Sequence, residues 1–253
     1  MPIKVGMGQM LVEGGRPEAN LLRAESVVGE AVAADCDVVV LPECLDLGWT
    51  HPSARTLAEP IPGPRADELC RVARDHRIHV CAGLTERDGE RIYNAAVLID
   101  DRGRILLKHR KITILSIARD LYAVGDRLGV VDTPFGRAGV LICADNFPES
   151  LELGQSLCRM GANLILSPCA WAVPPEHDNE ADPYGSLWRD AYGKLAGDRG
   201  VAVVGVSSVG MIEAGPWTGY RCIGCSLAVA RGGVEALQAP YGAEAAGLFT
   251  VAL

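Results

Sequence analysis

The sequence has 253 residues, of which 49% are hydrophobic and 22% charged, a composition that is typical of globular chains and excludes extended disorder. The formal net charge is −8 at pH 7, and the basic cluster KHRK at residues 108–111 is too short for the cationic surface of a nucleic-acid-binding or membrane-surface protein. No window approaches the roughly 18 to 20 apolar residues of a spanning helix, and the N-terminus has no signal-peptide pattern. We therefore expect a cytoplasmic protein that binds neither nucleic acid nor membrane.

Strands and helices alternate in the predicted secondary structure. The first half is predicted to contain a strand (3–10), a helix (16–34), a strand (36–43), a helix (64–77) and three strands (79–87, 91–100 and 103–110). The second half is predicted to contain two strands (129–134 and 136–143), a helix (148–161), a strand (162–169), a helix (185–200) and three strands (201–208, 225–231 and 246–253). The strands are too hydrophobic for a sheet with one solvated face, and no segment marks a domain boundary. The sequence predicts an α/β fold with mixed sheets and a single domain over residues 1–253.

Three reactive side chains lie at the carboxyl ends of predicted strands. Glu43 ends the run VVVLPE, Lys111 ends the run KHRK, and Cys143 follows a strand predicted to end at Ile142. Taken singly, each residue type is more often structural: a carboxylate in a loop, a lysine at a solvated strand end or a buried cysteine. Together they provide a base, a fixed cation and a nucleophile where α/β folds gather reactive groups. This combination favours attack on a polarised carbon–nitrogen bond.

The segment GVLICADNFPES predicts that Cys143 lies in a turn between a strand and a helix. We expect the helix dipole and the free backbone N–H groups at such a position to favour the thiolate form of Cys143. The backbone N–H of Ala144 is a candidate donor to an oxyanion.

The segments LPECLDLGW, HRKITIL and LICADNFPES, in this order, resemble the Glu, Lys and Cys signatures of the nitrilase (carbon–nitrogen hydrolase) superfamily. The N-terminal KVGMGQM, the strand ANLILSPCAW and the late strand GCSLAVA are also similar to segments of that family, so the resemblance covers essentially the whole chain. It implies a four-layer αββα sandwich that assembles into homodimers or larger homo-oligomers. It also implies a reaction that uses no metal and no organic cofactor.

The resemblance further implies a role for each motif residue. Cys143 would be the nucleophile, and Glu43 would take the thiol proton and later pass it to the leaving nitrogen. Lys111 and the Ala144 N–H would stabilise the tetrahedral intermediate. A thioester would remain on Cys143 until water activated by Glu43 releases the acid. The implied substrate is a small linear amide or an N-carbamoyl compound, as in the amidase and carbamoylase branch.

The sequence departs from the family pattern in two places. The stretch CADNFPE is shorter than in many members, so the oxyanion donors could be aimed differently. Members often carry a second Glu before a Gly-Asp turn between the Lys and Cys motifs, and here that position falls on Ala118. Asp120 is the only acid close by and is the candidate for the displaced second acid.

Two further features of the sequence concern Trp171 and the cysteines. Trp171 follows a strand that ends near the predicted site, so its ring either forms a wall of a substrate pocket or packs in the core. The nine cysteines, an odd number in mostly apolar settings, indicate reduced thiols. The CxxC spacing of Cys222 and Cys225 leads into a strand rather than a helix, and no second CxxC completes a zinc site. We interpret both as structural thiols.

Three functions are compatible with these motifs. The preferred one is a thiol amidohydrolase acting on an amide or N-carbamoyl compound. A true nitrilase acting on a small nitrile would use the same residues. A catalytically weak member of the same fold, kept as a binding or assembly subunit, is favoured by the missing second Glu.

Overall fold

The computed structural model describes residues 2–253 and contains every strand and helix predicted above. The first half comprises β1 (Lys4–Gln9), α1 (Pro17–Ala33), β2 (Val38–Val40), α2 (Ala54–Leu57), α3 (Pro64–His76), β3 (His79–Asp88), β4 (Arg91–Ile99) and β5 (Ile105–Arg110). The second half comprises β6 (Val130–Thr133), β7 (Gly136–Val140), α4 (Leu151–Arg159), β8 (Leu164–Cys169), β9 (Ala172–Val173), α5 (Ser186–Arg199), β10 (Ala202–Ser207), β11 (Val209–Met211), β12 (Arg221–Ile223), β13 (Leu227–Ala230), β14 (Val234–Gln238) and β15 (Gly247–Ala252). The sequence analysis missed α2, β9, β11, β12 and β14, which are too short to show a clear period.

Two six-stranded sheets form the centre of the fold. The first has the strand order β15-β1-β2-β3-β4-β5 and the second the order β14-β13-β10-β8-β7-β6. In the first sheet β2 is parallel to β1 and β3, and in the second β8 is parallel to β7 and β10. The other neighbours are antiparallel, so the prediction of mixed sheets is confirmed. The sheets face each other, since β1 contacts β10, β2 contacts β8 and β4 contacts β7.

Helices cover the outer faces of both sheets. On the first sheet, α1 and α3 contact each other and the strands β1, β2 and β3. On the second sheet, α4 and α5 contact each other, and α5 packs on β10 and β13. The layers run helix, sheet, sheet, helix, which confirms the predicted four-layer αββα sandwich. Within residues 2–253, none of the helices combines the length and the apolar character that crossing a membrane requires.

The burial of β2 on both faces explains its uninterrupted run of valines. Val38 and Val40 point into the core between the sheets, and Val39 points into the core beneath α1 and α3. All three are fully buried. A strand in this central layer has no solvated face on which a polar residue would be tolerated. The first acid after this strand is Glu43, at the edge where the chain leaves the sheet.

The helix predicted at residues 148–161 begins later in the structure. Pro148–Ser150 forms a 3-10 turn, and α4 begins only at Leu151. Phe147 is extended, with ψ of 154°, because the α-helical conformation of a residue clashes with a following proline. The helix therefore cannot extend back to the separate 3-10 turn at Cys143–Asn146.

Candidate active site

Glu43, Lys111 and Cys143 meet at one edge of the two facing sheets. Glu43 lies just after β2, Lys111 directly after β5 and Cys143 shortly after β7. The ammonium nitrogen of Lys111 donates to Glu43 Oε1 at 2.6 Å, and the charges of both residues act on the Cys143 thiol. The exposed fractions are 1% for Glu43, 2% for Lys111 and 8% for Cys143. The three groups therefore form a reactive cluster that is largely shielded from water.

The Glu43 carboxylate is held by groups from both sheets. The backbone N–H of Glu43 donates to the carbonyl of Cys169 in the second sheet at 3.1 Å. On β4, Asn94 Nδ2 donates at 2.5 Å to Glu43 Oε1, the same oxygen that Lys111 contacts. Glu43 Oε2 has no hydrogen-bond partner within residues 2–253. One oxygen thus accepts two hydrogen bonds, and the other is free to accept a proton.

Gly83 on β3 allows the segment that carries Glu43 to approach the sheet closely. A Cβ atom at Gly83 would lie 2.5 Å from Glu43 Cα and 2.7 Å from the carbonyl oxygen of Pro42. The Gly83 N–H donates to that carbonyl at 3.0 Å, and the Gly83 carbonyl accepts from the Leu45 N–H at 2.9 Å. A glycine is required at this strand position because backbone packs directly against backbone.

Lys111 is held as a cation. Its backbone N–H donates to the Asn94 carbonyl at 2.8 Å, which continues the pairing of β4 and β5 past the end of the strand. Burial disfavours the charged form, but the carboxylates of Glu43 and Asp145 act in the opposite direction, and the pKa of Lys111 is raised above its ordinary value. The buried ammonium group is therefore protonated at neutral pH.

The Cys143 backbone adopts a left-handed conformation, with φ of +45°. This conformation is uncommon for a residue with a side chain and occurs preferentially at functional sites. The Cys143 N–H donates to Ser167 Oγ on β8 at 3.3 Å, and Asn146 Nδ2 donates to the same oxygen at 3.0 Å. Ala144, the next residue of the turn, is fully buried. The Ser167 hydroxyl thus fixes the turn that directs the thiol into the cluster.

The Cys143 thiol is neutral in the resting site. The neighbouring Cys169 thiol, burial and the Glu43 charge raise the pKa of Cys143 well above its ordinary value, against the opposing effect of Lys111. The prediction that a helix dipole favours the thiolate is wrong, because α4 begins only at Leu151 and a helix dipole acts mainly near the first turn. A thiol in this state needs a base to remove its proton, and Glu43 is the adjacent carboxylate.

Asp145 is a site residue that the sequence analysis did not identify. Its Oδ1 accepts the backbone N–H groups of Ile112 at 3.0 Å and Thr113 at 2.7 Å. Its Oδ2 accepts the N–H of Ile142 at 3.0 Å and Nε2 of His109 at 2.8 Å. The Asp145 side chain is fully buried. Its carboxylate links the segment that follows Lys111 to the segment that precedes Cys143.

The sequence did contain a signal for two of the missed residues. Asn94 interrupts the apolar strand RIYNAAVLID, and Asp145 interrupts the apolar segment VLICADN. A polar side chain in a buried segment must be paired, which marks both positions as candidates for a network. Ser167 and Cys169 gave no such signal, since small side chains are common in cores.

Trp171 lies in the core that also contains the Cys143 thiol. Its ring stacks on Trp188 of α5 with ring centroids 4.7 Å apart, and Tyr184 lies alongside with a centroid distance of 6.3 Å. The Trp171 Nε1 atom is buried with no hydrogen-bond partner within residues 2–253. Buried indole N–H groups usually find an acceptor, so this donor is available to a bound molecule.

Asp120 is exposed and lies outside the cluster of Glu43, Lys111 and Cys143. The contact that involves it is made by its backbone carbonyl, which accepts from Arg55 Nη2 at 3.1 Å. Within residues 2–253, no contact of Asp120 supports it as the second acid, and that role stays a prediction.

The CxxC cysteines are buried on and after β12. Gln238 Nε2 lies 2.7 Å from Cys225 Sγ, and Cys222 packs in an apolar cluster. All nine cysteines are free, as predicted from their settings. In residues 2–253, no group of three or more His, Cys, Asp or Glu side chains is arranged to hold a metal ion.

Known proteins share both the sequence pattern and the fold of this chain. The carbon-nitrogen hydrolase family is matched over residues 4–233. A nitrilase from Pyrococcus abyssi is 33% identical over 218 residues, which cover 82% of this chain and 80% of the relative. An omega-amidase from Xenopus tropicalis is 30% identical over 178 residues, which cover 66% of this chain and 63% of the relative.

A solved structure matches the whole fold. It is a mutant amidase from Nesterenkonia sp. AN1 with the acetamide moiety of fluoroacetamide added covalently at the active site cysteine. The two structures superimpose with a TM-score of 0.83 at 19% identity, over 99% of this chain and 90% of the amidase. At this identity the likeness supports the shared fold.

The matches define a class of enzymes, the hydrolases that act on carbon–nitrogen bonds. The chain belongs to the carbon–nitrogen hydrolase family within the nitrilase superfamily. The family assignment made from the three sequence motifs is therefore confirmed.

Proposed function

We propose that the chain is a thiol amidohydrolase that cleaves the C–N bond of a small linear amide or N-carbamoyl compound through a thioester on Cys143. The observation that carries this proposal is the free oxygen of Glu43. Lys111 and Asn94 occupy Oε1, whereas Oε2 has no partner within residues 2–253. A neutral thiol, a carboxylate with a free oxygen and a permanent cation are the groups that acylation of a cysteine needs.

In the acylation step, Glu43 Oε2 takes the proton of Cys143 as the sulfur attacks the carbonyl carbon of the substrate. The carbonyl oxygen becomes an oxyanion, which the Lys111 ammonium group and the Ala144 N–H stabilise. The proton then passes from Glu43 to the leaving nitrogen. The C–N bond breaks, ammonia or an amine departs, and a thioester, or a thiocarbamate for an N-carbamoyl substrate, remains on Cys143.

In the deacylation step, Glu43 acts as a base a second time. Its carboxylate takes a proton from water as the water oxygen adds to the thioester carbonyl. The same cation and N–H stabilise the second tetrahedral intermediate. Collapse breaks the C–S bond, the proton returns to the Cys143 sulfur, and the acid is released. The cycle restores the neutral thiol and the ionised carboxylate.

The aromatic residues near the thiol favour a small substrate. Trp171, Tyr184 and Trp188 pack together beside the Cys143 core, and burial raises the pKa of Tyr184. We assign Trp171 as a wall of the substrate site, with its unpartnered Nε1–H as a donor to a polar substrate atom.

An amide is preferred over a nitrile because the relatives include omega-amidases. The second candidate, a true nitrilase acting on a small nitrile, is favoured by the relative from Pyrococcus abyssi, which is described as a nitrilase. The same cluster would then attack a nitrile carbon. The proposal also carries over from the sequence a single domain over residues 1–253, a homodimeric or larger assembly and a cytoplasmic location.

The test is ammonia release from a panel of small ω-amides, N-carbamoyl amines, N-carbamoyl amino acids and aliphatic nitriles. Wild type is compared with Cys143→Ala and with Cys158→Ala, whose half-buried thiol lies on α4 outside the cluster. We expect wild type and Cys158→Ala to release ammonia from an amide or carbamoyl compound and Cys143→Ala to fall to background.

The other outcomes separate the alternatives. Release from nitriles alone would identify a nitrilase. A silent wild type whose Cys143 also reacts no faster with iodoacetamide than the other cysteines would favour a binding or assembly subunit. Activity retained in Cys143→Ala would rule out Cys143 as the nucleophile.

A further inference from the structure

One buried carboxylate links the two chain segments that carry the cation and the nucleophile. Asp145 Oδ1 accepts the N–H groups of Ile112 and Thr113 at 3.0 and 2.7 Å, the two residues that follow Lys111. Asp145 Oδ2 accepts the N–H of Ile142 at 3.0 Å, the residue that precedes the nucleophile. The first segment continues a strand of the first sheet and the second continues a strand of the second sheet. Asp145 therefore joins the two sheets at the reactive cluster.

Four N–H donors surround the Asp145 carboxyl and favour its ionised form. The fourth donor is Nε2 of His109, at 2.8 Å from Oδ2. His109 Nδ1 is buried without a partner within residues 2–253, whereas Nε2 faces the carboxylate and donates to it. Each Asp145 oxygen faces two N–H donors, and a carboxyl proton would have no acceptor. These four donors stabilise the ionised form of the Asp145 carboxyl.

The negative charge of Asp145 acts on the Lys111 ammonium group during the proposed reaction. Three acidic groups face the Lys111 ammonium: Glu43 from the segment after β2, and Cys143 and Asp145 from the turn after β7. When Glu43 accepts the thiol proton it becomes neutral, and Lys111 loses the charge of its direct partner. Asp145 remains next to Lys111 throughout, because its four N–H donors hold the carboxyl in place and stabilise its ionised form.

We propose that Asp145 is a positioning residue for this reaction, which holds the Lys111 segment against the Cys143 turn and keeps Lys111 protonated after Glu43 has accepted a proton. The inference rests on the proposed function, since it gives Asp145 a part in the same catalytic cycle.

The first test compares Asp145→Asn with Asp100→Asn. Asp100 is the matched control, because it is also buried and accepts the backbone N–H groups of Arg102 and Arg104 at 3.0 and 2.8 Å, but it lies in the turn between β4 and β5, at the far end of β5 from Lys111. We expect Asp145→Asn to lower kcat by about 100-fold, as misplacement of reacting groups does, with KM nearly unchanged. Asp100→Asn should keep the wild-type kcat.

The pH profile adds a readout that a structural role alone would not move. Removing the Asp145 charge lowers the pKa of Lys111, so the loss of kcat at alkaline pH should begin at a lower pH in Asp145→Asn than in wild type. Asp100→Asn should follow the wild-type profile.

If Asp145→Asn does not fold, His109→Phe removes one donor to the same carboxylate, and kcat should fall about 10-fold, as for a lost hydrogen bond to a charged group.

A substrate-free measurement separates this inference from the proposed function. Amide hydrogen exchange at Ile112 and Thr113 should be slow in wild type and in Asp100→Asn and at least about 10-fold faster in Asp145→Asn, because both amides lose an ionised acceptor. If wild type hydrolyses nothing, the proposed function fails, and unchanged exchange would then overturn the link between the segments. If wild type is active and Asp145→Asn keeps the wild-type kcat and alkaline profile, the positioning role is overturned while the proposed function stands.

Discussion

The geometry of a single strand divides the basic cluster KHRK between two sites. Successive side chains point to opposite faces of a strand, so Lys108 and Arg110 lie on one face of β5, and Lys111, directly after the strand, points to the opposite side. Lys108 and Arg110 bind Glu86 of β3, whereas Lys111 binds Glu43. Both glutamates are buried, and each accepts hydrogen bonds from basic side chains.

The two sites differ in how completely each carboxylate is paired. Glu86 Oε1 accepts from Lys108 at 2.6 Å and Arg110 at 2.8 Å, and its Oε2 accepts from Arg110 at 2.6 Å. Glu43 receives two donors on Oε1 and none on Oε2 within residues 2–253. A carboxylate with both oxygens paired is suited to holding strands together, and one with a free oxygen in a dry site can act as a base.

The largest expected effect comes from replacing each glutamate by glutamine. Glu43→Gln should lower kcat by about 1000-fold, within the range for loss of a general base, because an amide cannot take the thiol proton. Glu86→Gln should keep kcat within about 3-fold and lower the free energy of unfolding by about 1–3 kcal/mol, the range for a compromised buried hydrogen bond. Ammonia release and urea denaturation measure the two quantities. Similar kcat losses in both variants would contradict the distinction between the sites.

The two lysines provide the next comparison. Lys111→Met should lower kcat by about 100-fold to 1000-fold, the range for loss of one oxyanion-stabilising group, because the oxyanion then faces no cation. Lys108→Met should leave kcat near that of wild type, since Lys108 contacts Glu86 and the carbonyl of Ile61 at 3.0 Å. Steady-state kinetics on the preferred substrate checks both variants. A Lys111→Met enzyme with the wild-type kcat would show that the cation is not needed.

Replacing Cys169, a neighbour of the Cys143 thiol, should have a smaller effect, which appears in the rate of Cys143 alkylation. Contact with Cys169 raises the pKa of Cys143, so Cys169→Ala should lower that pKa and increase the thiolate fraction. At pH 8, alkylation of Cys143 by iodoacetamide should become about 10-fold faster for each unit of pKa lost. Mass spectrometry of the modified peptide gives the rate, with Cys158→Ala as the control. A slower reaction in Cys169→Ala would contradict the assigned sign.

A third acid–base pair, Asp46 with Arg65, tests a carboxylate on which burial outweighs the charge of its partner. The side chains approach to 3.3 Å, and burial raises the pKa of Asp46 to about 6, against the opposing effects of Arg65 and Thr85. An unfolded aspartic acid has a pKa of about 3.9, so the folded state holds this proton more tightly. The stability that this proton provides is present below about pH 4 and lost as pH rises through 6.

The expected result is a loss of wild-type stability between pH 4 and pH 7 that Asp46→Asn does not share. The difference should be on the order of 2 kcal/mol, from a shift of about two pKa units discounted for relaxation. Urea denaturation at several pH values measures it. Parallel stability curves for the two proteins would contradict the raised pKa of Asp46.

The sequence predicted those site residues whose position relative to a neighbouring strand can be read from the chain. Glu43, Lys111 and Cys143 were found because each follows an apolar strand, and the strands were recognised from burial on both faces. The pairing of Asp145 with Ile112 could not be predicted, because it depends on how β5 and β7 from different sheets are placed against each other.

The protonation state of the nucleophile was also beyond the sequence. The expected helix dipole required α4 to begin near Cys143, and the extended residue Phe147 before Pro148 prevents this. The raised pKa of Cys143 arises from Cys169, which is adjacent in space but lies on another strand. Position along the chain thus identified the three residues that meet in the structure, and packing between the sheets determined the surroundings of the thiol.

The most direct test of the central claim is acid-quench mass spectrometry of the enzyme during turnover of the amide or carbamoyl substrate found in the panel. The account predicts a transient acyl mass on the peptide that contains Cys143 and on no other cysteine peptide, and its absence from Cys143→Ala. Sustained ammonia release with Cys143 unmodified at every quench time, together with turnover by Cys143→Ala, would contradict it.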